Sequence, residues 1–275
     1  MSLKLDLHVH SASRGEIFIN ANQLRKYLEH NKINGVAIVN FFDISHAISL
    51  KDEIKDYIII VGQEIWSNEG HIIGLGLKNK IQDFQSAKEI IDCIHKQGGI
   101  AIAPHPYVFL GAGEKVMSFG IDAIESYNAF MGATIIPNYL AMKSAKKKNI
   151  PQVASTDTTG ARFIGLSHTE VMVEDPNLIF DAIRSGNVRL HKKALPIPFK
   201  YILKNIFEFK DVEPCLTHAV PCFVCGKSMT IRLFKRKFQC IDCGVVQNSR
   251  IACCNGHYLC MKCIIKRDIT IAEKL

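Results

Sequence analysis

Lys4-Leu5-Asp6-Leu7-His8-Val9-His10-Ser11 is the most informative stretch of the chain, because it joins an apolar β-strand pattern to two imidazoles. His8 and His10 are two residues apart, so a strand would point both side chains to the same face. Two imidazoles on one face can bind the same cation. Taken alone, the pair is also compatible with two surface histidines, so its meaning depends on the rest of the chain.

Short apolar runs alternate with helical patterns after this stretch. Strand-like runs occupy residues 3–9, 35–40, 57–65, 71–77, 99–103, 123–127 and 152–154. Between them, residues 22–31, 86–96 and 138–148 carry apolar side chains at helical spacing. The alternation predicts an α/β fold in which crossover helices connect a parallel sheet, with the proportions of a small barrel that closes near residue 195.

Ionisable residues recur at the ends of these strands. Glu64 ends one apolar run, His71 and His105 stand at the ends of two others, and Asp157 follows the last. A carboxylate at the end of an apolar strand is costly unless it is paired or bound to a metal. Because active sites in parallel α/β folds form where strand ends meet, we expect these residues to converge with the N-terminal histidines.

Five motifs in the order DLHVHS, GQEI, GHIIGLG, APHP and STD resemble the PHP (polymerase and histidinol phosphatase) family of metal-dependent phosphoesterases. The resemblance covers residues 1–195, and the DLHVHS start is its most specific mark. It implies a distorted (β/α)7 barrel, similar to a TIM barrel, and hydrolysis of a phosphate ester.

The same resemblance implies a centre with two divalent metals. One metal would be held by His8, His10, Glu64 and Asp157, and the other by Glu64, His71 and His105. A metal-bridging hydroxide would be the nucleophile, and the catalytic residues would be Glu64, Asp157 and Arg14. Histidine and carboxylate ligands suit manganese, iron or zinc.

Several positions depart from the family pattern at a third metal site. Asn40 and Phe41 stand where many members have an Asp and a His, and Arg14 and Thr159 replace further ligands. Arg14 could bind a substrate phosphate through its planar guanidinium in place of the lost cation, or it could be an ordinary loop residue. A competing hypothesis is a catalytically retired barrel that binds nucleic acid or a protein.

Cysteine content and charge both change towards the C-terminus. Of the ten cysteines, only Cys93 precedes residue 200. Basic and acidic residues number 19 and 20 up to Leu190, but 15 and 6 from His191 onward. We therefore predict a barrel over residues 1–195, a linker helix over 196–213 and a small Cys-rich module over 214–275.

The cysteine spacing predicts one or two structural zinc ions in this module. Cys222/Cys225 and Cys240/Cys243 form two CxxC pairs with fourteen residues between them, which is a strong zinc signal. A further set with the spacing of a zinc site is Cys254, His257, Cys260 and Cys263. Spacing does not decide between sequential and cross-braced pairing, and an iron–sulfur cluster is a weaker alternative.

Charge and hydropathy also bear on partners. Arg232, Lys235 and Lys237 fall on the outer face of a predicted hairpin, which could contact nucleic acid, a protein or the barrel. The expected substrate is a phosphorylated small molecule or nucleic acid, with a nucleotide or a nucleic-acid end favoured. No apolar run is long enough for a bilayer and no signal-like segment starts the chain, so we predict a cytoplasmic protein without a membrane partner.

Overall fold

Strands and helices alternate through most of the chain, for which a computed structural model describes residues 2–13, 16–108, 113–195, 224, 229–253, 255–260 and 263. The strands are β1 Leu3–Val9, β2 Ala12–Ser13, β3 Glu16–Ile17, β4 Gly35–Ile38, β5 Ile58–Trp66, β6 His71–Leu75, β7 Ile100–Ala103, β8 Ala123–Asn128, β9 Gln152–Ser155, β10 His168–Val171, β11 Val188–His191, β12 Met229–Gln239 and β13 Val246–Cys253. The α-helices are α1 Ala21–Asn31, α2 Ser45–Glu53, α3 Ala87–Lys96, α4 Gly113–Val116, α5 Ile136–Lys148 and α6 Ile179–Arg184.

The chain divides into two units, Met1–Pro196 and Ile197–Leu275. The linker helix predicted over residues 196–213 lies outside the described residues. Within the described ranges, no helix combines the length and apolar character needed to cross a membrane.

Local sequence explains where the outer helices begin and which face they bury. Asn20 and Gln23 form a capping box at the start of α1, and Ser86 and Glu89 form another at the start of α3. Each box satisfies backbone N–H groups that have no partner within the helix. In α3 the buried residues are Ala87, Ile90, Ile91 and Ile94, a helical spacing that turns one apolar face towards the sheet.

Among the described residues of the first unit, nine strands form one sheet in the order β11-β10-β1-β4-β5-β6-β7-β8-β9. Seven of them, from β1 to β9 in that order, match the seven predicted strands, and β10 and β11 extend the sheet beyond β1. The sheet nearly closes into a barrel, because Val9 and Thr158 form a parallel bridge between the ends of β1 and β9. The prediction of an α/β fold with a distorted barrel is confirmed.

The prediction of a parallel sheet is wrong for four strand pairs. β6 runs antiparallel to both β5 and β7, and β10 runs antiparallel to both β1 and β11. Only residues 67–70 separate β5 from β6, which is too short for the crossover that parallel neighbours require. The hairpin brings Gly62 against Gly74, where a side chain at Gly62 would meet the Gly74 carbonyl oxygen at 2.6 Å.

The described part of the second unit is built on a β-hairpin. β12 pairs antiparallel with β13, and the register is interrupted between Ile231 and Arg236. A small buried cluster of Cys240, Leu259 and Cys260 packs with Tyr258 and Cys263 beside the hairpin. Such a core is too small to stabilise a fold without additional cross-links or metal ions.

Candidate metal centre

Glu64 lies at the centre of four histidines where the strand ends of the barrel meet. Its Oε2 is 3.1 Å from Nε2 of His8 and 3.1 Å from Nε2 of His10. Its Oε1 is 2.8 Å from Nδ1 of His71 and 3.1 Å from Nε2 of His105. The carboxylate is fully buried, so each of its oxygens faces its own pair of imidazoles inside the protein.

Asp157 joins this group from the segment after β9. Its Oδ1 is 3.3 Å from Nε2 of His8 and 3.5 Å from Nε2 of His10, and its Oδ2 is 3.9 Å from Nε2 of His105. Asp157 and His105 have φ angles of 56° and 26°, in the left-handed region. Such conformations cost free energy in residues other than glycine and cluster at functional sites.

Two overlapping donor sets within this group have the geometry to hold a metal ion. They are His8, Glu64 and His105, and His8, His10 and Asp157. In each set the donor atoms lie within 4.8 Å of one another and every residue is buried. Imidazole and carboxylate donors fit the manganese, iron or zinc expected from the sequence.

The buried carboxylates and histidines of the centre shift one another's pKa values. Burial alone would raise the pKa of Glu64, but the attraction of His8 and His71 and hydrogen bonds from His10 and His105 hold it well below its usual value. Burial alone would lower the pKa of His8, yet the negative charges of Asp157, Glu125 and Glu64 raise it well above its usual value. The site therefore has a strong affinity for positive charge, whether carried by protons or by a cation.

Glu125 and Asn128, on β8, contact the candidate metal ligands and were not among the predicted site residues. His8 Nδ1 lies 3.0 Å from Glu125 Oε1, and the backbone N–H of His105 donates to Glu125 Oε2 at 2.8 Å. Asn128 Nδ2 donates to Asp157 Oδ2 at 2.9 Å. A carboxylate behind a histidine orients the ring and makes its other nitrogen a better ligand.

Asp6, in the DLHVHS motif, connects β1 to the segment after β9 through hydrogen bonds. Its carboxylate accepts hydrogen bonds from the backbone N–H groups of Thr156 and Gly165, at 3.0 Å and 2.9 Å, and from the Thr156 hydroxyl at 2.6 Å. Burial nevertheless raises the pKa of Asp6 to about 6. These bonds tie β1, which carries His8 and His10, to the segment that carries Asp157.

Asn40, Phe41 and Thr159, where the resemblance implies that ligands of a third metal are replaced, have other surroundings in the structure. Asn40 Oδ1 accepts from the backbone N–H groups of Ser11 and Ala12, at 2.7 Å and 3.0 Å. The Phe41 ring stacks on His10 with 4.9 Å between ring centroids, and Thr159 is exposed. Arg14, a predicted catalytic residue, lies outside the described residues.

A second donor cluster lies in the Cys-rich module, where the spacing leaves sequential and cross-braced pairing open. Cys240, Cys243, Cys260 and Cys263 have their sulfur atoms within 4.8 Å of one another. The backbone N–H of Ile241 donates to the Tyr258 carbonyl, which brings the two CxxC segments together. Cys260 and Cys263 thus lie together with the Cys240/Cys243 pair.

Four thiolates at these distances suit a tetrahedral zinc ion. Burial alone would raise the pKa of Cys240, but backbone N–H groups of Cys260, Cys243 and Asp242 lower it to about 6. The thiolate form of Cys240 is therefore favoured near neutral pH, whereas burial and hydrogen bonds with the neighbouring thiols raise the pKa of Cys263. Three other predicted ligands, Cys222, Cys225 and Cys254, lie outside the described residues.

The barrel and its converging histidines and carboxylates define a protein with the PHP-like fold. The structure matches a two-domain protein of Bacteroides vulgatus that contains a predicted PHP-like metal-dependent phosphoesterase, with a TM-score of 0.58 and 14% identity over 92% of this chain and 87% of that one. It also matches PsfC of Pseudomonas syringae, with a TM-score of 0.55 and 11% identity over 75% of this chain and 97% of that one. Likeness at these identities establishes the fold.

Sequence comparison adds a closer relationship. The chain is 31% identical to the uncharacterized protein MJ1587 of Methanocaldococcus jannaschii, over 55% of this chain and 96% of that protein. The chain belongs to the same family as MJ1587. No protein-family model matches the chain.

Replacing Glu125 by Gln is expected to weaken metal binding by about 10- to 100-fold, the usual effect of losing a partner behind a ligand. Gln keeps the size of the side chain but removes the charge that orients His8. Trp66 is the sole tryptophan of the chain and its ring lies 4.4 Å from the His71 ring. Quenching of its fluorescence by Mn²⁺ or Co²⁺ therefore measures the affinity directly.

Glu29→Gln, at an exposed position on α1, is the matched control and should bind the metal as the unaltered protein does. Equal metal affinity in the Glu125→Gln and Glu29→Gln variants, with both folded, would show that Glu125 does not position His8.

Proposed function

We propose that the barrel is a metal-dependent phosphoesterase that hydrolyses a phosphate ester, with a nucleotide or the end of a nucleic acid as the favoured substrate. The observation that carries this proposal is the arrangement around Glu64. One of its oxygens faces His8 and His10 and the other faces His71 and His105, all between 2.8 and 3.1 Å. A carboxylate shared in this way is suited to two cations rather than to one.

Six side chains of the barrel would hold the two metals. The proposed ligands are His8, His10, Glu64, His71, His105 and Asp157. Divalent cations bound there would neutralise charge on the phosphate and lower the pKa of a bound water. Glu125 and Asn128 would keep the ligands in place, and burial would exclude bulk water from the reacting groups.

The preference for a nucleotide or nucleic-acid end rests on the resemblance of the motifs and on the basic C-terminal segment. Arg236 and Lys237 are exposed on β12, next to the half-buried Phe238. Basic groups beside an aromatic ring favour the backbone and bases of a single strand. We propose that the module contributes such contacts and holds structural zinc.

A second candidate is a catalytically retired barrel that binds nucleic acid or a protein. The roles of Asn40 and Phe41 favour it, since one holds the loop after β1 and the other covers His10 with an aromatic ring. A barrel that had lost a cation needed for turnover would keep the remaining ligands for stability alone.

Turnover assays separate the two candidates. The full-length protein is stripped with a chelator, reloaded with Mn²⁺, Fe²⁺ or Zn²⁺, and assayed with adenosine 5′-monophosphate, a 5′-phosphorylated oligonucleotide and p-nitrophenyl phosphate. We expect hydrolysis of at least one ester to disappear on chelation and to return with one of the metals. Metal binding without hydrolysis of any ester would favour the retired barrel.

A further inference from the structure

Four aromatic side chains form a closed ring of contacts beside the metal centre. Phe41, Phe42, Phe84 and Trp66, together called the aromatic wall, are all half-buried. Successive ring centroids around this circuit are 6.1, 6.3, 6.2 and 6.0 Å apart. Aromatic pairs attract one another at these separations, so the four side chains form one surface.

The aromatic wall continues directly into the proposed metal ligands. The Phe41 ring lies nearly parallel to that of His10, with an angle of 14°, and its centroid is 5.6 Å from that of His71. The Trp66 ring also contacts the His71 ring, with 4.4 Å between centroids. A phosphate ester bound by the ligands would therefore have its alcohol group within reach of the wall.

Hydrogen bonds hold the segment that carries Phe84 against β5, which carries Trp66. The Gln63 side chain accepts from the backbone N–H of Ile81 and donates to its carbonyl, at 3.0 and 2.9 Å. The buried Asp83 accepts from the backbone N–H of Trp66 at 2.8 Å. These bonds fix residues 81–84 alongside β5, so Phe84 stands beside Trp66 independently of any ligand.

Backbone strain marks two members of the wall. Phe42 and Phe84 have φ angles of 62° and 65°, in the left-handed region that bulky residues rarely adopt. Strain of this kind persists where the surroundings impose it, and it is frequent in ligand-binding segments. Partly exposed aromatic side chains in such conformations are better suited to a ligand than to packing alone.

We propose that the aromatic wall binds the planar base of a nucleotide whose phosphate occupies the metal centre; this inference rests on the proposed function. Aromatic side chains stack on any nucleobase, because every base has a π-face. A sugar phosphate without a base forms no such contact. The wall would thus make the site selective for nucleotides over other phosphate monoesters with the same reacting group.

Adenosine 5′-monophosphate and ribose 5-phosphate provide the test, because they share the ester and differ by the base. With the metal-loaded full-length protein, kcat/KM should be roughly 5- to 150-fold higher for the nucleotide, the range that stacking of one base supplies. Phe84→Leu and Phe42→Leu keep apolar bulk and should reduce this ratio at least about fivefold. Tyr27→Leu, on the outer helix α1, is the matched control and should keep the ratio.

Binding gives a readout that does not depend on turnover. Adenosine 5′-monophosphate should change the fluorescence of Trp66 at concentrations at which ribose 5-phosphate does not. If neither ester is hydrolysed but this selective change remains and Phe84→Leu abolishes it, the proposed function fails and the base-binding wall stands. If both esters are hydrolysed with similar kcat/KM and both Leu variants keep that ratio, the wall does not bind a base.

Discussion

The Glu64→Gln variant is expected to lose at least about 10³-fold in kcat/KM for phosphate ester hydrolysis and to bind less metal. Metal ions contribute several kcal/mol of charge stabilisation in such reactions, and each 1.36 kcal/mol corresponds to about tenfold in rate. Glu64 is the residue whose two oxygens face two different pairs of histidines. A carboxamide has one oxygen, and its NH₂ group does not bind cations. It therefore cannot ligate one metal beside His8 and His10 and a second beside His71 and His105.

Turnover and metal content of the Glu64→Gln protein should be measured together, with the exposed Glu53→Gln variant on α2 as the control. An unchanged circular dichroism spectrum would show that the variant folds. Activity within tenfold of the unaltered protein would contradict the central position assigned to Glu64.

The second large effect is expected in the Cys-rich module. Cys240→Ser, Cys260→Ser and the double variant should each lose the same single zinc ion, because the two sulfurs belong to one cluster. Structural zinc contributes about 10 to 16 kcal/mol to the folding of small modules, so losing the ion should also unfold the segment around it. Zinc per chain is measured by inductively coupled plasma mass spectrometry.

The number of zinc ions that the double variant loses depends on how the cysteines pair. If the CxxC pairs bound zinc in sequence order, the double variant would lose two ions where each single variant lost one. Cys93→Ser on α3 provides the control, since Cys93 belongs to the barrel and should leave the zinc content unchanged.

The proposed metal ligands of the barrel could be recognised in the sequence because each lies within or next to an apolar strand pattern. A buried carboxylate or imidazole at a strand end, such as Glu64 or Asp157, requires a partner, and several such residues indicate a common one. The barrel-like fold followed from the same pattern. The antiparallel direction of β6 could also have been predicted, because residues 67–70 leave no room for a crossover helix.

Other features depend on contacts between residues far apart in the chain. Glu125 stands in the strand sequence Ala123-Ile124-Glu125, and its role appears once β8 and β1 place it 3.0 Å from His8, which lies 117 residues away. The cysteine grouping is similar, since identical spacings allow sequential and crossed sites, and only the fold brings Cys240 and Cys243 to Cys260 and Cys263. The sequence predicts that Phe41 cannot bind a metal. It does not predict that the Phe41 ring contacts Trp66, which lies on β5.

Anomalous X-ray diffraction from crystals of the Mn²⁺-loaded protein tests the two-metal centre most directly. We predict two anomalous peaks in the barrel, about 3.5–4 Å apart as in other two-metal sites. One should lie against His8, His10 and Asp157, the other against His71 and His105, and both should contact the carboxylate of Glu64. A single peak, a third peak beside Phe41, or peaks that leave Glu64 uncoordinated would contradict this account.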